Sequence, residues 1–363
     1  MHETGRGVHR GRIQTLQEFA RRGVTRAELV RKWEEGWQTL SGALQTLNDE
    51  DLGNPGSTTR IPRTKTAAIF CSAEVGAPSA LRRCRSAVYY SRNSMKALDF
   101  NGKLVVVTGA SSGLGREIAR TLALKEQAHV VVAARRRDRL EGLKAETEAQ
   151  CASRVHVVSV DLASPGGAQT LFREATAIGE VYALVNCAGL TYYGRTLDMP
   201  AEKYDQIIAV NFLSEMRASM LFLKYFLDRG RGALLTVTSV TAFVPAPYQN
   251  VYAATKHGMQ AFMEGLAVEY RGKGVAICTF VPGGMATEMI TNSGLDRKIG
   301  TADRVYMDPA RAARKALASF KKVKRRSIPG LMYKTVVFLL RLLPRATVAW
   351  VVEKIYSPGS RAG

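Results

Sequence analysis

Six short runs of nearly unbroken apolar and β-branched residues constrain this chain more than any other feature. They span 104–108, 129–134, 155–160, 183–186, 233–239 and 276–281, and stretches with helical spacing separate them. A half-exposed strand alternates apolar with polar residues, whereas a strand that is apolar throughout is covered on both faces. Such strands alternating with helices predict an α/β fold: a doubly wound parallel sheet with helices on both faces. A basic helix over 310–322 and a short strand near 327–328 bring the expected sheet to about seven strands.

With 363 residues, 46% of them hydrophobic, the chain can bury one large core and carry appendages. Its 52 Lys and Arg outweigh 31 Asp and Glu, for a formal charge of +21. The basic residues concentrate at the two ends without interleaved aromatics, so a nucleic-acid partner is not expected. Five cysteines (Cys71, Cys84, Cys151, Cys187, Cys278) are widely spaced and form no C-x-x-C pair, which indicates neither a disulfide framework nor a metal site. Reduced thiols fit a cytoplasmic setting. No run of eighteen apolar residues is present, and residues 1–30 lack a hydrophobic signal core. Glu18, Glu28, Glu34 and Glu35 make a poor transit peptide.

The order along the chain predicts an N-terminal extension over 1–94, partly helical or disordered, an α/β domain over 95–330, and an amphipathic helical tail over 331–363. In the extension, Trp33, Trp37, Leu40, Leu44 and Leu47 form an apolar stripe that needs a partner. The surrounding RKWEEGWQTLSGALQTLNDEDLG resembles a helix of the DinB-like four-helix bundle proteins. A single such helix cannot build that bundle, so the region reads as a remnant, an extension or an over-long start, with Met95 as an alternative beginning.

The first strand runs into Thr108-Gly109-Ala110-Ser111-Ser112-Gly113-Leu114-Gly115, and helical spacing resumes at Ile118 and Leu122. Strand, glycine turn and helix start together suit a pyrophosphate. Any Cβ would hold the backbone away, and the free N–H groups and dipole of the helix attract the charge. By itself the loop could equally be a tight turn of another α/β fold. The end of the second strand sorts the cofactors: an acid holds a free ribose 2′-OH, and a base accepts a 2′-phosphate. Here the strand ends in Arg135, Arg136 and Arg137 with no carboxylate, and Ser111 can add a hydroxyl, so NADP(H) is favoured over NAD(H). A solvated basic loop is the alternative. Asp161 and Leu162, after the third strand, are placed at the adenine, although an Asp there could also serve as an ordinary turn residue.

Tyr252 and Lys256 are four residues apart at the start of a long helical stretch, so both functional groups face one side about one turn apart. An ammonium beside a phenol favours the phenolate, which makes the phenol usable as both acid and base. Ser239 closes a strand thirteen residues earlier, where parallel sheets bind ligands. Asn186-Cys187-Ala188-Gly189 closes the fourth strand. Asn211 sits inside a helical pattern that Asn does not favour.

In order from about Leu104 to Gly330, TGASSGLG, Asp161, NCAG, Asn211, Ser239, YAATK and Pro282-Gly283 with Thr287 resemble the short-chain dehydrogenase/reductase family in its compact single-domain Rossmann form. Cys187 departs from the pattern, which commonly has a second Asn there. The resemblance implies a catalytic tetrad of Asn211, Ser239, Tyr252 and Lys256. In it Ser239 holds the substrate oxygen and Tyr252 exchanges a proton with it as hydride moves to or from the nicotinamide. Lys256 supports the tyrosine and binds the ribose, and Asn211 anchors a water. Pro282, Gly283 and Thr287 are implied near the nicotinamide amide, and Thr108, Asn186, Ala188 and Gly189 along the cofactor. Thr287 could instead cap a helix, and Asn186 could tie strands together.

The remaining expectations concern surroundings. The segment 241–248, the lid 285–307, and Phe243, Val244, Pro245, Pro247 and Met289 suggest an apolar pocket for a lipophilic ketone or alcohol. Basic residues from Arg311 to Arg326 precede apolar stretches at 331–333, 335–340 and 346–352. These suit peripheral contact with an anionic membrane surface, or equally a cover for the protein's own core or a subunit interface. The family resemblance implies a homo-oligomer. A sugar-nucleotide epimerase or dehydratase shares Y-x-x-x-K but spaces its glycines differently. A non-catalytic NADP(H)-binding sensor would be expected to have lost Ser239, Tyr252 or Lys256.

Overall fold

The computed structural model describes residues 95–295, 306–340 and 342–357. The expectations for the extension over 1–94 and for part of the lid lie outside these residues. Those described fall in one unit, Ser91–Gly363.

Seven parallel strands form one sheet in the order β3-β2-β1-β4-β5-β6-β7. They are β1 (Leu104–Thr108), β2 (His129–Ala134), β3 (Val155–Ser159), β4 (Val181–Asn186), β5 (Gly232–Val237), β6 (Val275–Phe280) and β7 (Arg326–Ser327). β1, β2, β5 and β6 are wholly or almost wholly buried, which explains their unbroken apolar composition. β5 stops at Val237 because the chain turns at Ser239, which caps a short 3₁₀ turn, Val240–Phe243. The Thr241 N–H donates to its Oγ at 3.2 Å.

Ten helices are described: α1 (Gly113–Glu126), α2 (Arg137–Glu148), α3 (Gly167–Ile178), α4 (Ala201–Ile208), α5 (Glu215–Asp228), α6 (Asn250–Glu269), α7 (Glu288–Ser293), α8 (Pro309–Lys321), α9 (Leu331–Leu340) and α10 (Arg345–Tyr356). Side chains of α1, α2 and α8 (Ile118, Leu122, Leu140, Leu317, Phe320) join one buried layer with the sheet. Those of α3, α5 and α6 (Leu171, Phe222, Phe226, Met259, Met263) join the layer on the other face. In α8, Pro309 opens the first turn and Asp308 accepts the Arg311 N–H at 2.7 Å. Its buried Ala312, Ala313, Ala316, Leu317 and Phe320 recur at helical steps, and the alanines let the backbone lie close to its neighbours.

β1 lies between β2 and β4, so the chain builds outward from it first one way and then the other. At such a reversal the helices leave a crevice beyond the carboxyl ends of the strands. α9 and α10 return to this end, where Val348 and Val352 bury against Val244. Among the described residues no helix is long and apolar enough to cross a membrane.

Candidate active site

A cavity of about 610 Å³ fills that crevice, and eighteen of the catalytic and cofactor residues expected from the sequence line it. They are Gly109, Ser111, Ser112, Gly113, Leu114 and Gly115 after β1; Arg135 and Arg136 after β2; Asp161 and Leu162 after β3; Ala188 and Gly189 after β4; Ser239 after β5; Tyr252 and Lys256 on α6; and Pro282, Gly283 and Thr287 after β6. Thr108, Asn186 and Asn211 are not in its wall.

The glycine turn is shaped by what surrounds it. Gly109 has φ +68°, and a Cβ there would stand 2.8 Å from the Ala188 Cα. A Cβ on Gly115 would stand 2.4 Å from the Gly109 carbonyl oxygen, so only glycine lets α1 begin this close to the turn. The three residues outside the wall hold it in place. Thr108 Oγ1 accepts the N–H groups of Cys187 (2.9 Å) and Ala188 (3.1 Å), fixing the loop after β4 to the end of β1. Asn186 Nδ2 donates to Ser219 Oγ at 2.8 Å, tying β4 to α5. Asn211 accepts the Leu190 N–H and donates to the Leu190 carbonyl, both at 2.8 Å. It lies in a π-helical turn, Ala209–Ser214, which explains an Asn inside helical spacing.

Beside the glycine turn, Arg136 donates to Ser111 Oγ (3.0 Å), Ser112 Oγ (3.0 Å) and Glu288 Oε2 (2.9 Å). Arg139 pairs with the other oxygen of Glu288. Hydrogen bonds from these two guanidiniums hold the Glu288 carboxyl below its ordinary pKa. Asp161 Oδ1 accepts the Ala163 N–H at 3.0 Å. Thr287 precedes α7 without a side-chain cap bond, and its methyl would stand 3.1 Å from a Cβ on Gly113.

At the other end, Lys256 is buried and donates to the Val237 carbonyl at 3.1 Å. The Gly189 backbone marks where groups converge: a Cβ there would be 3.7 Å from Asn211 Oδ1, 3.9 Å from Lys256 Nζ and 3.3 Å from Met289 Cε. Burial pushes the Cys187 thiol up to about 12, so it is a neutral thiol at working pH.

Several lining groups were not picked from the sequence. Glu288 follows Thr287 directly, but nothing local shows that it meets Arg136. Tyr333 packs its ring where a Gly283 side chain would be, and its hydroxyl accepts the Gly284 N–H at 3.2 Å. Tyr356 also lines the cavity; burial raises its phenol to about 12, and Tyr193 donates to its backbone carbonyl. Both tyrosines come from the C-terminal segment, whose sequence signal was amphipathicity alone. Of the apolar residues expected in the pocket, Val244 and Met289 line it; Phe243, Pro245 and Pro247 are not in its wall, and Phe243 lies under the Arg326 guanidinium, 5.4 Å from the ring centre.

The residues present fit a nicotinamide dinucleotide: a glycine turn that any Cβ would obstruct, opening α1, and a cavity running from it to Tyr252. A doubly wound sheet with that crevice at its reversal point is a dinucleotide-binding architecture. The family model described as short chain dehydrogenase matches residues 103–298, and the chain belongs to that family. It is 30% identical over 258 residues to dehydrogenase/reductase SDR family member 7B of Danio rerio, covering 67% of this chain and 82% of the relative. An alcohol dehydrogenase from the archaeon Thermococcus sibiricus, solved with 5-hydroxy-NADP, superposes with a TM-score of 0.57 at 27% identity, over 64% of this chain and 98% of that one. A 7beta-hydroxysteroid dehydrogenase structure has the same fold, with a TM-score of 0.63 at 24% identity, over 71% and 99%. A second family model, described as a protein of unknown function (DUF1572), matches residues 3–69.

Proposed function

We propose that this chain is an NADP(H)-preferring reductase of a lipophilic ketone or aldehyde, or the reverse dehydrogenase, with Tyr252 as its acid and base. The carrying observation is that Ser239, Tyr252 and Lys256 line the same cavity as the glycine turn and Arg136. When bound, the nicotinamide supplies or accepts the hydride. Gly109 and Gly113–Gly115 would hold its pyrophosphate, Arg136 and Ser111 the 2′-phosphate, and Lys256 the ribose. Ser239 orients the substrate oxygen by a hydrogen bond, and the Tyr252 hydroxyl gives that oxygen its proton or takes it away. NADP is preferred because two guanidiniums already hold an anion, the Glu288 carboxylate, at the end of the cleft.

Apolar groups from the C-terminal helices, Val336, Val337, Leu340, Val352 and Ile355, line the rest of the cavity, which supports a lipophilic substrate. The outer side of the same helices exposes Leu331, Phe338, Leu339, Leu342 and Trp350, beside the exposed Lys334, Arg345 and Lys354. Apolar groups rimmed by cations suit an anionic lipid surface, with each basic residue contributing about 1 kcal/mol near it. A screen of ketones and alcohols of graded chain length, followed by NADPH absorbance with Tyr252→Phe as the blank, tests the chemistry. Co-flotation with vesicles of phosphatidylserine and phosphatidylcholine tests the surface. Failure to float, with a dimer seen by light scattering that Leu339→Ser dissolves, would assign these helices to a second copy of the chain instead.

A further inference from the structure

Beneath the catalytic lysine lies a carboxylate for which the reaction has no assigned use. Glu215, the first residue of α5, is 2% exposed, and its Oε1 lies 3.6 Å from Lys256 Nζ, itself 3% exposed. That separation is an ion pair just outside hydrogen-bond reach. Neither carboxylate oxygen has a hydrogen-bond donor among the described residues, and Asn186 Oδ1 in the same floor also lacks one. The titratable groups facing Glu215 are Lys256 on α6 and Cys187 at the end of β4. Cys187 stays neutral, so only the lysine can compensate the charge. Burial raises Glu215 to about 7, against the opposing pull of Lys256. A buried carboxylate with no hydrogen-bond donor of its own favours its neutral form, while the nearby ammonium favours the ionised one.

We propose that Glu215 is a positioning residue that sets the effective charge of Lys256: protonated, it leaves the full positive charge to act on Tyr252 and the nucleotide, and ionised, it neutralises that charge. This rests on the cofactor reading given above and deepens it. An anionic nucleotide binds better beside an uncompensated lysine. By linkage, its binding then draws a proton onto Glu215. The site would thus take up a proton when it loads.

The test is NADPH binding to the full-length protein without substrate, by nucleotide fluorescence and by calorimetry at pH 7 in buffers of different ionisation enthalpy. Wild type should take up a fraction of a proton per NADPH, and its affinity should fall roughly tenfold between pH 6 and 8.5. Glu215→Gln should lose the part of the uptake and of the pH dependence that comes from this carboxyl, leaving only that of the nucleotide's own 2′-phosphate, and Glu215→Asp should restore both in part. Equal uptake in wild type and Glu215→Gln would overturn the proposal. If the Gln variant does not fold, the Glu215 carboxyl can be titrated in wild type by ¹³C NMR. A midpoint near 7 would uphold the idea, and one below about 5 would overturn it. Absence of any NADPH binding by wild type would instead defeat the cofactor reading.

Discussion

Arg136, just past β2, and Glu288, at the start of α7, meet across the mouth of the nucleotide cleft with Nη1 and Oε2 2.9 Å apart. An acid that occupies this arginine competes with any phosphate seeking the same guanidinium. Glu288→Gln should therefore tighten NADPH roughly fivefold and leave NADH nearly unchanged. Arg136→Ala should weaken NADPH roughly tenfold, again sparing NADH. Both side chains are about 40% exposed, so the gain from removing the competitor is kept to about 1 kcal/mol. Titration of the two nucleotides by fluorescence reads the ratio directly.

Tyr252→Phe removes one hydroxyl from the cavity and little else. Turnover should drop on the order of 10²–10⁴-fold, the usual value of a positioned acid or base. NADPH should still bind within a few-fold of wild type. Activity above a tenth of wild type would mean that another group moves the proton.

Glu215 also makes stability depend on pH. Its carboxyl holds a proton more tightly folded than unfolded, rising from 4.5 to about 7. The native state thus binds more protons than the unfolded chain in that window, and stability must fall as pH rises through it. Thermal scans should show Tm decreasing between pH 5 and 7.5, and Glu215→Gln should flatten that part of the curve. A wild-type Tm that rises throughout would contradict the sign.

Gly115→Ala places a methyl 2.4 Å from the Gly109 carbonyl oxygen, a separation that cannot exist without moving the turn. The expected result is at least about tenfold weaker nucleotide binding, with a far-UV circular dichroism spectrum like wild type. Unaltered affinity would show that the turn relaxes freely.

Strand positions were readable because burial on both faces leaves an unmistakable run: β1 and β2 match their expected bounds at both ends. Residues at strand ends followed from the sheet, so Ser239 and the glycine turn were located with it. Asn211 was legible as an anomaly, a poor helix former whose amide turns out to bracket Leu190. Glu215 left a signal that was not used: it shares helical spacing with the buried Ala218, Ser219 and Phe222, which puts it on the inner face of α5. The meeting of Arg136 with Glu288 left none, because they are 152 residues apart and each looks like an ordinary surface charge. Tyr333 and Tyr356 were hidden for the same reason, since helical spacing says which face is apolar but not what it covers.

The place of β1 inside the sheet, between β2 and β4, has a consequence for how the molecule is made. Its partner on one side, β4, is supplied by chain some 77 residues later, as the bond from Thr108 to Val185 records. Pairings of such long range must close large loops before they return any stabilisation, which makes them slow. Until β4 docks, Gly109 has no wall to rest on and the turn after β1 has no fixed shape. A growing polypeptide at that stage carries a bare edge rich in valine, of the kind that pairs with neighbouring chains.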